Sequence, residues 1–318
     1  MNTRTRATDV LSRDEIRQFA ERSDAAGGYA VISTWVVIVA CFAVLARWPN
    51  PLTFLAVVIV LGGRQLALAI LSHEAAHRTL FRSTSLNDPV GNWFCAYPVW
   101  NDVLRYREHH LGHHARTGTT EDPDTSLVTP FPTTRRSLAR KLLRDASGLS
   151  GLRRIVGQVL MDIGVLKYTV AASVTPRARD GRKWTDYARE GWRNMRGMLL
   201  VNALMAAALA ATGGLWLYSA WALAYLTTFS LYLRIRSIAE HACTSGGGDI
   251  LRNTRTTQAG WLARITVAPF NVNFHIEHHL LASVPWFRLP ALHRMLRERG
   301  AVDPAPGYGA VLRMASAR

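Results

Sequence analysis

Four stretches of this chain are apolar for long enough to approach a bilayer crossing, and they come in pairs. Tyr29 to Ala46 and Leu52 to Leu71 flank the short connector Arg47-Trp48-Pro49-Asn50-Pro51. Gly197 to Thr212 and Leu215 to Leu233 flank Gly213-Gly214. A membrane helix takes about 20 apolar residues at about 1.5 Å each. The pattern therefore predicts an all-α integral membrane protein of four spans in two hairpins. The third run is the shortest, so that helix stands nearly upright or the bilayer thins around it. Arg64 interrupts the second run and must snorkel or face a polar interior. Ile155 to Val174 is only moderately apolar, broken by Asp162 and Lys167. It is interfacial, re-entrant or buried, and is not counted as a span.

The polar stretches divide the rest. Met1 to Gly28 lacks the apolar core of a signal peptide. Within it, Ser12 and Glu15 have capping-box spacing ahead of Ile16, Phe19 and Ala20, which predicts a short amphipathic helix. The expected organisation is an amphipathic segment over 1–28, a membrane domain over 29–296 and a tail over 297–318. About half the residues are hydrophobic, yet the net charge is +16. Arginine concentrates in blocks between apolar runs, as in 135–154 and 177–196, which disfavours a nucleic-acid binder with one basic face. The span connectors carry only Arg47, so the positive-inside rule places both termini and the central region in the cytoplasm. Three cysteines, Cys41, Cys95 and Cys243, form no CxxC pair and predict no disulfide framework.

Histidine changes the picture most. His73-Glu74-Ala75-Ala76-His77, His109-His110-Leu111-Gly112-His113-His114 and His275-Ile276-Glu277-His278-His279 hold nine of the eleven histidines. Each adjoins an apolar segment, and the predicted topology puts all three on the cytoplasmic side of the membrane. Neutral imidazole is the commonest ligand for transition metals. The spacing nominates His73, His77, His110, His113, His114, His275, His278 and His279, with His241 a ninth candidate one turn past the fourth run. His109 and His293 are left as structural residues. Nine imidazoles exceed the needs of one ion; two six-coordinate irons sharing solvent or oxygen positions would use about this many. His73-Glu74-Ala75-Ala76-His77 also reads as HExxH, the zinc-protease motif with Glu74 as general base, but such a site leaves two clusters without a role. A metal transporter or sensor is a further alternative. Glu74 and Glu277 are expected to accept the N–H of a ligand imidazole and fix its tautomer.

The clusters read HxxxH, HxxHH and HxxHH. With Asp122-Pro123-Asp124 after the second, Arg236-Ser237-Ile238-Ala239-Glu240-His241 before the third, and Val284-Pro285-Trp286-Phe287-Arg288-Leu289-Pro290 after it, the chain resembles the membrane fatty acid desaturase family and its hydroxylase-like relatives. The likeness runs from about Leu52 to Leu296. It implies a cytoplasmic helical cap that carries the histidine boxes. It also implies a non-haem centre of two iron ions that activates O2 beside a fatty acyl or other lipid chain, with Asp122 and Asp124 near the ligands. Desaturation is the expected outcome, with lipid or carotenoid hydroxylation or ketolation the alternative. The chain has no room for a fused haem domain, so a separate electron donor such as a ferredoxin or a small cytochrome is expected.

Overall fold

Residues 5–245 and 247–318 are described by a computed structural model, and among the described residues every regular element is a helix, with no strand. After a single helical turn at Ala7–Val10 comes α1 (Arg13–Phe19), whose Ser12 hydroxyl accepts from Glu15 N while Glu15 accepts from Ser12 N, the capping box that the spacing announces. Two long helices follow, α2 (Asp24–Arg47) and α3 (Pro51–Ala76). Asn50 caps α3 by accepting from Thr53 N, and Pro51 occupies the first turn, where its missing N–H costs nothing. The short α4 (Thr84–Val90) runs through a π-helical turn, Gly91–Ala96, towards α5 (Val103–Arg116). Then come α6 (Arg135–Ala146), α7 (Leu149–Asp162) and α8 (Trp184–Ala211). The closing elements are α9 (Tyr218–Leu226), α10 (Thr228–His241), α11 (His275–Leu280), α12 (Leu289–Glu298) and α13 (Tyr308–Ala315).

Among the described residues, three helical stretches are long and apolar enough to cross a membrane: one ending at Arg47, Pro51–Ala76 and Trp184–Ala211. Two expectations need correction here. The helix carrying the run 197–212 starts at Trp184, thirteen residues before the apolar run does, because the preceding polar stretch is also helical. The run 215–233 is not one helix. A 3₁₀ turn at Leu215–Leu217 leads into α9, and Thr227 (φ −106°, ψ −85°) breaks the path before α10. The break is locally stabilised: Thr227 Oγ1 donates to Leu223 O, and Thr228 Oγ1 donates across to Val58 O on α3.

α3 is the central post, buried along most of its length among α2, α9 and α10. Gly62 permits the closest crossing. A Cβ there would sit 2.1 Å from Thr228 Oγ1, so only hydrogen lets α10 approach. Arg64 does face a polar group within the protein: Nη2 donates to Ile265 O at 3.1 Å. Residues 297–318, expected as a tail, end in α13, whose Val311 and Ala315 pack with Ile238 and Ala239 of α10. α1 is likewise docked, with Leu11 and Phe19 in one cluster with Leu289, Leu292 and Leu296 of α12.

Candidate metal centre

Each histidine cluster ends up on a helix for a local reason. His73 lies on the last turn of α3 and His77 caps it, four residues on and on the same face. α5 is capped by Asp102, which accepts from Leu104 N and Arg105 N, and carries His110, His113 and His114 on its second half. His241 closes α10, and His275, His278 and His279 sit on the short α11. The backbone turns sharply just before α11: Phe270 and Asn271 both have positive φ, and Asn271 Nδ2 donates to Trp286 O.

These helices bring all nine nominated histidines together, in one set of five and two smaller sets that share His241. Potential ligand atoms of His73, His77, His110, His114 and His278 lie within 4.8 Å of one another. His113, His241 and His279 form a second set, and His241, His275 and Glu240 a third that overlaps it. The groups adjoin where the His114 and His279 rings stack at 4.1 Å. Ring nitrogens converge in pairs: His114 Nε2 is 3.0 Å from both His110 Nε2 and His278 Nε2, and His275 Nε2 is 2.8 Å from His241 Nε2. Two imidazoles bound at about 2.1 Å and at right angles to one another would hold their nitrogens about 3 Å apart, so this spacing suits shared ions. Both ring nitrogens of His73, and His77 Nε2, His275 Nδ1 and His279 Nε2, are buried without a hydrogen-bond partner. Each unpaired buried polar group costs about 1–3 kcal/mol. Bound metal would remove that cost, and the donor set suits a first-row transition ion.

Electrostatics keeps the imidazoles in donor form. Burial holds His110, His275, His278 and His279 well below the ordinary histidine value. Burial and then the nearby Arg107 charge bring His77 to about 4. His113 goes the other way. Burial opposes its charge, but the hydrogen bond from Nδ1 to Asp122 Oδ1 (2.8 Å) and the charges of Asp124, Asp122 and Glu240 outweigh it. Once Nδ1–H is held by Asp122, His113 presents Nε2 to the cluster.

The carboxylates divide differently from expectation. Asp122 holds His113 directly. Asp124 Oδ1 instead accepts from His109 Nε2 at 2.8 Å, and its Oδ2 lies 3.7 Å from His113 Nδ1. Glu74 Oε1 is 3.6 Å from His73 Nδ1, while its other oxygen accepts from Thr79 Oγ1 and Trp286 N. That carboxylate is committed to fixing the chain after α11, which leaves it poorly placed to act as the base of a zinc protease. Glu277 does not face a cluster imidazole. It accepts from Thr256 Oγ1 and His293 Nδ1, both at 2.6 Å, because α11 turns that side chain towards α12. The residue that sequence reasoning missed is Glu240. Its Oε1 lies 3.6 Å from His275 Nδ1 and accepts from Arg236 Nε at 2.6 Å. Its position beside His241 was the available signal. Glu74, Asp122 and Glu240 thus each face the Nδ1 of a histidine from a different cluster.

Comparison with known proteins identifies the family. Residues 46–308 match a family described as Fatty acid desaturase. The chain is also 27% identical over 286 residues to the Dihydrorhizobitoxine desaturase of Bradyrhizobium elkanii, covering 88% of this chain and 76% of that protein.

Proposed function

This chain belongs to the fatty acid desaturase family, and on that premise we propose that it is a membrane-bound, O2-dependent oxidoreductase that introduces a double bond into a fatty acyl or related lipid chain. The observation that carries the reading is the pair of adjoining histidine groups with unpartnered buried nitrogens. His73, His77, His110, His114 and His278 would hold one iron ion, and His113, His241, His275 and His279 the other. Two irons bound there supply the reduction of O2 and the removal of hydrogen from an unactivated C–H. The chain's own residues do the rest. Asp122, Glu74 and Glu240 orient one imidazole of each cluster, and the buried helix ends exclude water from the centre. The balance is a saturated C–C pair losing two hydrogens, with O2 taking these, two electrons and two protons to give two waters. The electrons come from a separate donor, a ferredoxin or a small cytochrome, drawn to the arginine-rich face.

In this reading α9 and α10 together form a fourth span broken at Thr227, and the termini and histidines lie on the cytoplasmic side. The arginine blocks support that orientation. The name of the Bradyrhizobium relative supports desaturation over hydroxylation or ketolation. The same name gives dihydrorhizobitoxine as that protein's substrate, so it belongs beside acyl lipids in the test. The test is product mass from a host expressing the chain, fed each candidate. A loss of two hydrogens from an acyl lipid, absent in His278→Ala and His110→Ala variants that also bind less iron, is expected. A gain of one oxygen would move the reading to a hydroxylase. Unchanged turnover in His278→Ala would end the ligand assignment.

A further inference from the structure

Beside α2 lies an open-sided groove of about 670 Å³, and none of its lining residues is a histidine. One wall is a single face of α2, where Gly28, Ile32, Val36 and Ala40 recur every fourth residue. The other wall is Val90 at the end of α4 and Phe94 in the π-helical turn. Trp35 Nε1 donates to Phe94 O at 2.9 Å and ties the two walls together. Apart from that N–H, every lining side chain is hydrocarbon. The volume is in the range of ligand sites. Its length argues for the occupant. From Gly28 to Ala40 is about 18 Å along α2 at about 1.5 Å per residue. One leaflet of a core about 30 Å thick is about 15 Å deep, so the groove matches a single acyl chain. A second membrane helix would be met over the whole core, about twice that length.

One end of the groove is charged. Gly28 and Phe81 form the end nearest the polar N-terminal segment. There Ser83 N and Oγ donate to Asp24 at 2.9 and 2.7 Å, which fastens the loop after α3 to the start of α2. Arg82, one residue past Phe81, is exposed, and its Nε donates to Arg22 O at 3.4 Å. Arg22 Nε is buried with no hydrogen-bond partner. Among the described residues neither arginine forms an ion pair with a carboxylate. Asp24, on which the Arg82 charge acts, is taken by Ser83, and Glu21 by Arg288. Two cations therefore stand at the mouth of a hydrocarbon slot. Behind the slot, Val31 and Phe81 pack in one cluster with Ala75 and Ala76, the last residues of α3 before His77.

We propose that this groove is a binding site for one anionic phospholipid, with an acyl chain lying between α2 and the π-helical turn and the phosphate on Arg82 and Arg22. A guanidinium meets phosphate oxygens with paired N–H donors, and a neighbouring cation adds to the attraction. The bound chain covers an apolar face that the protein leaves open and backs the wall behind the first histidine cluster. This inference rests on the chain being membrane-embedded, and not on the reaction.

The test is native mass spectrometry of the full chain in detergent, with phosphatidylglycerol or phosphatidylcholine of the same acyl chains added. One phosphatidylglycerol should be retained per chain, more tightly than phosphatidylcholine. Arg82→Gln should weaken phosphatidylglycerol about fivefold, as about 1 kcal/mol per charge implies, and narrow its lead over phosphatidylcholine. Val36→Trp places an indole midway along the groove and should lose the retained lipid. Leu204→Trp, on α8 and equally exposed (58% against 59% for Val36), should keep it. Unfolding temperature in lipid-free detergent checks that Val36→Trp folds; should it misfold, Arg82→Gln decides alone. Undiminished retention by a folded Val36→Trp would overturn the groove as the site. Unchanged selectivity in Arg82→Gln would overturn the phosphate contact. A dimer that Val36→Trp splits, with lipid binding untouched, would give the groove to a second copy and overturn the proposal. A detergent-requiring chain that retains no phosphatidylglycerol would remove this inference alone, whereas a chain that stays monodisperse without detergent or lipid would remove the membrane reading with it.

Discussion

Two carboxylates decide the most at the scale of single residues. Glu240 is buried between Arg236 and His275 and faces an Nδ1 that has no partner. Its substitution by Gln keeps the shape and removes the charge that favours Nδ1–H over Nε2–H. Outer partners of this kind are worth about 10–100-fold in metal affinity. The Glu240→Gln variant should therefore release iron to a chelator at least about tenfold faster, while Glu240→Asp retains part of the effect. Iron held as tightly as in the unsubstituted chain would reduce Glu240 to a partner of Arg236. Glu277 makes the opposite case. His293→Ala removes one of its two acceptor contacts in a fully buried site, at about 1–3 kcal/mol. Thermal unfolding should show that loss while iron content per chain stays unchanged, because His293 points at Glu277 and not at the clusters.

Among the elements, the approach of α3 to α10 sets where His73, His77 and His241 stand relative to one another. That approach depends on Gly62, against which Thr228 is packed. A leucine there must push α10 away, and overpacking of this kind costs about 1–3 kcal/mol. The expected outcome for Gly62→Leu is a lower unfolding temperature together with loss of iron, since α10 carries one ligand group and α3 another. Gly28→Leu, on α2 with open space around its Cβ position, should do neither. The break at Thr227 has a related consequence. It gives α10 a direction different from that of α9, so the end of the fourth apolar run is aimed at the histidines by a bend as well as by length.

For the whole molecule, the histidine assembly makes stability depend on acid. His77 holds a value of about 4 against an ordinary 6.5, and burial is the first cause. The unfolded chain then takes its proton before the folded one does. The stability from this group is complete above 6.5 and is lost as pH falls from 6.5 towards about 4. His110, His278 and His279 shift in the same direction, so the metal-free protein should lose unfolding temperature steeply over that interval. A metal-free sample whose unfolding temperature is flat from pH 7 to pH 5 would contradict this burial. Bound metal should move the loss to lower pH, because protons and ions compete for the same nitrogens.

Local pattern alone determined the helical class, the apolar runs and the three clusters, because spacing fixes which side chains share a helix face and hydropathy fixes which helices avoid water. It likewise nominated His241 as a ninth candidate, while Asp122 was named only through the family resemblance. Tertiary structure decided what spacing does not encode. It split the nine histidines into groups that mix clusters, setting His278 with His73 and His113 with His241. It turned Glu277 away to His293 and brought Glu240 in. It also bent the fourth run at Thr227 and gave residues 135–162 a place against α10. Each of these depends on how one helix crosses another, which is set by close approaches such as Gly62 on Thr228 and Gly151 on Leu226, between residues far apart in the chain.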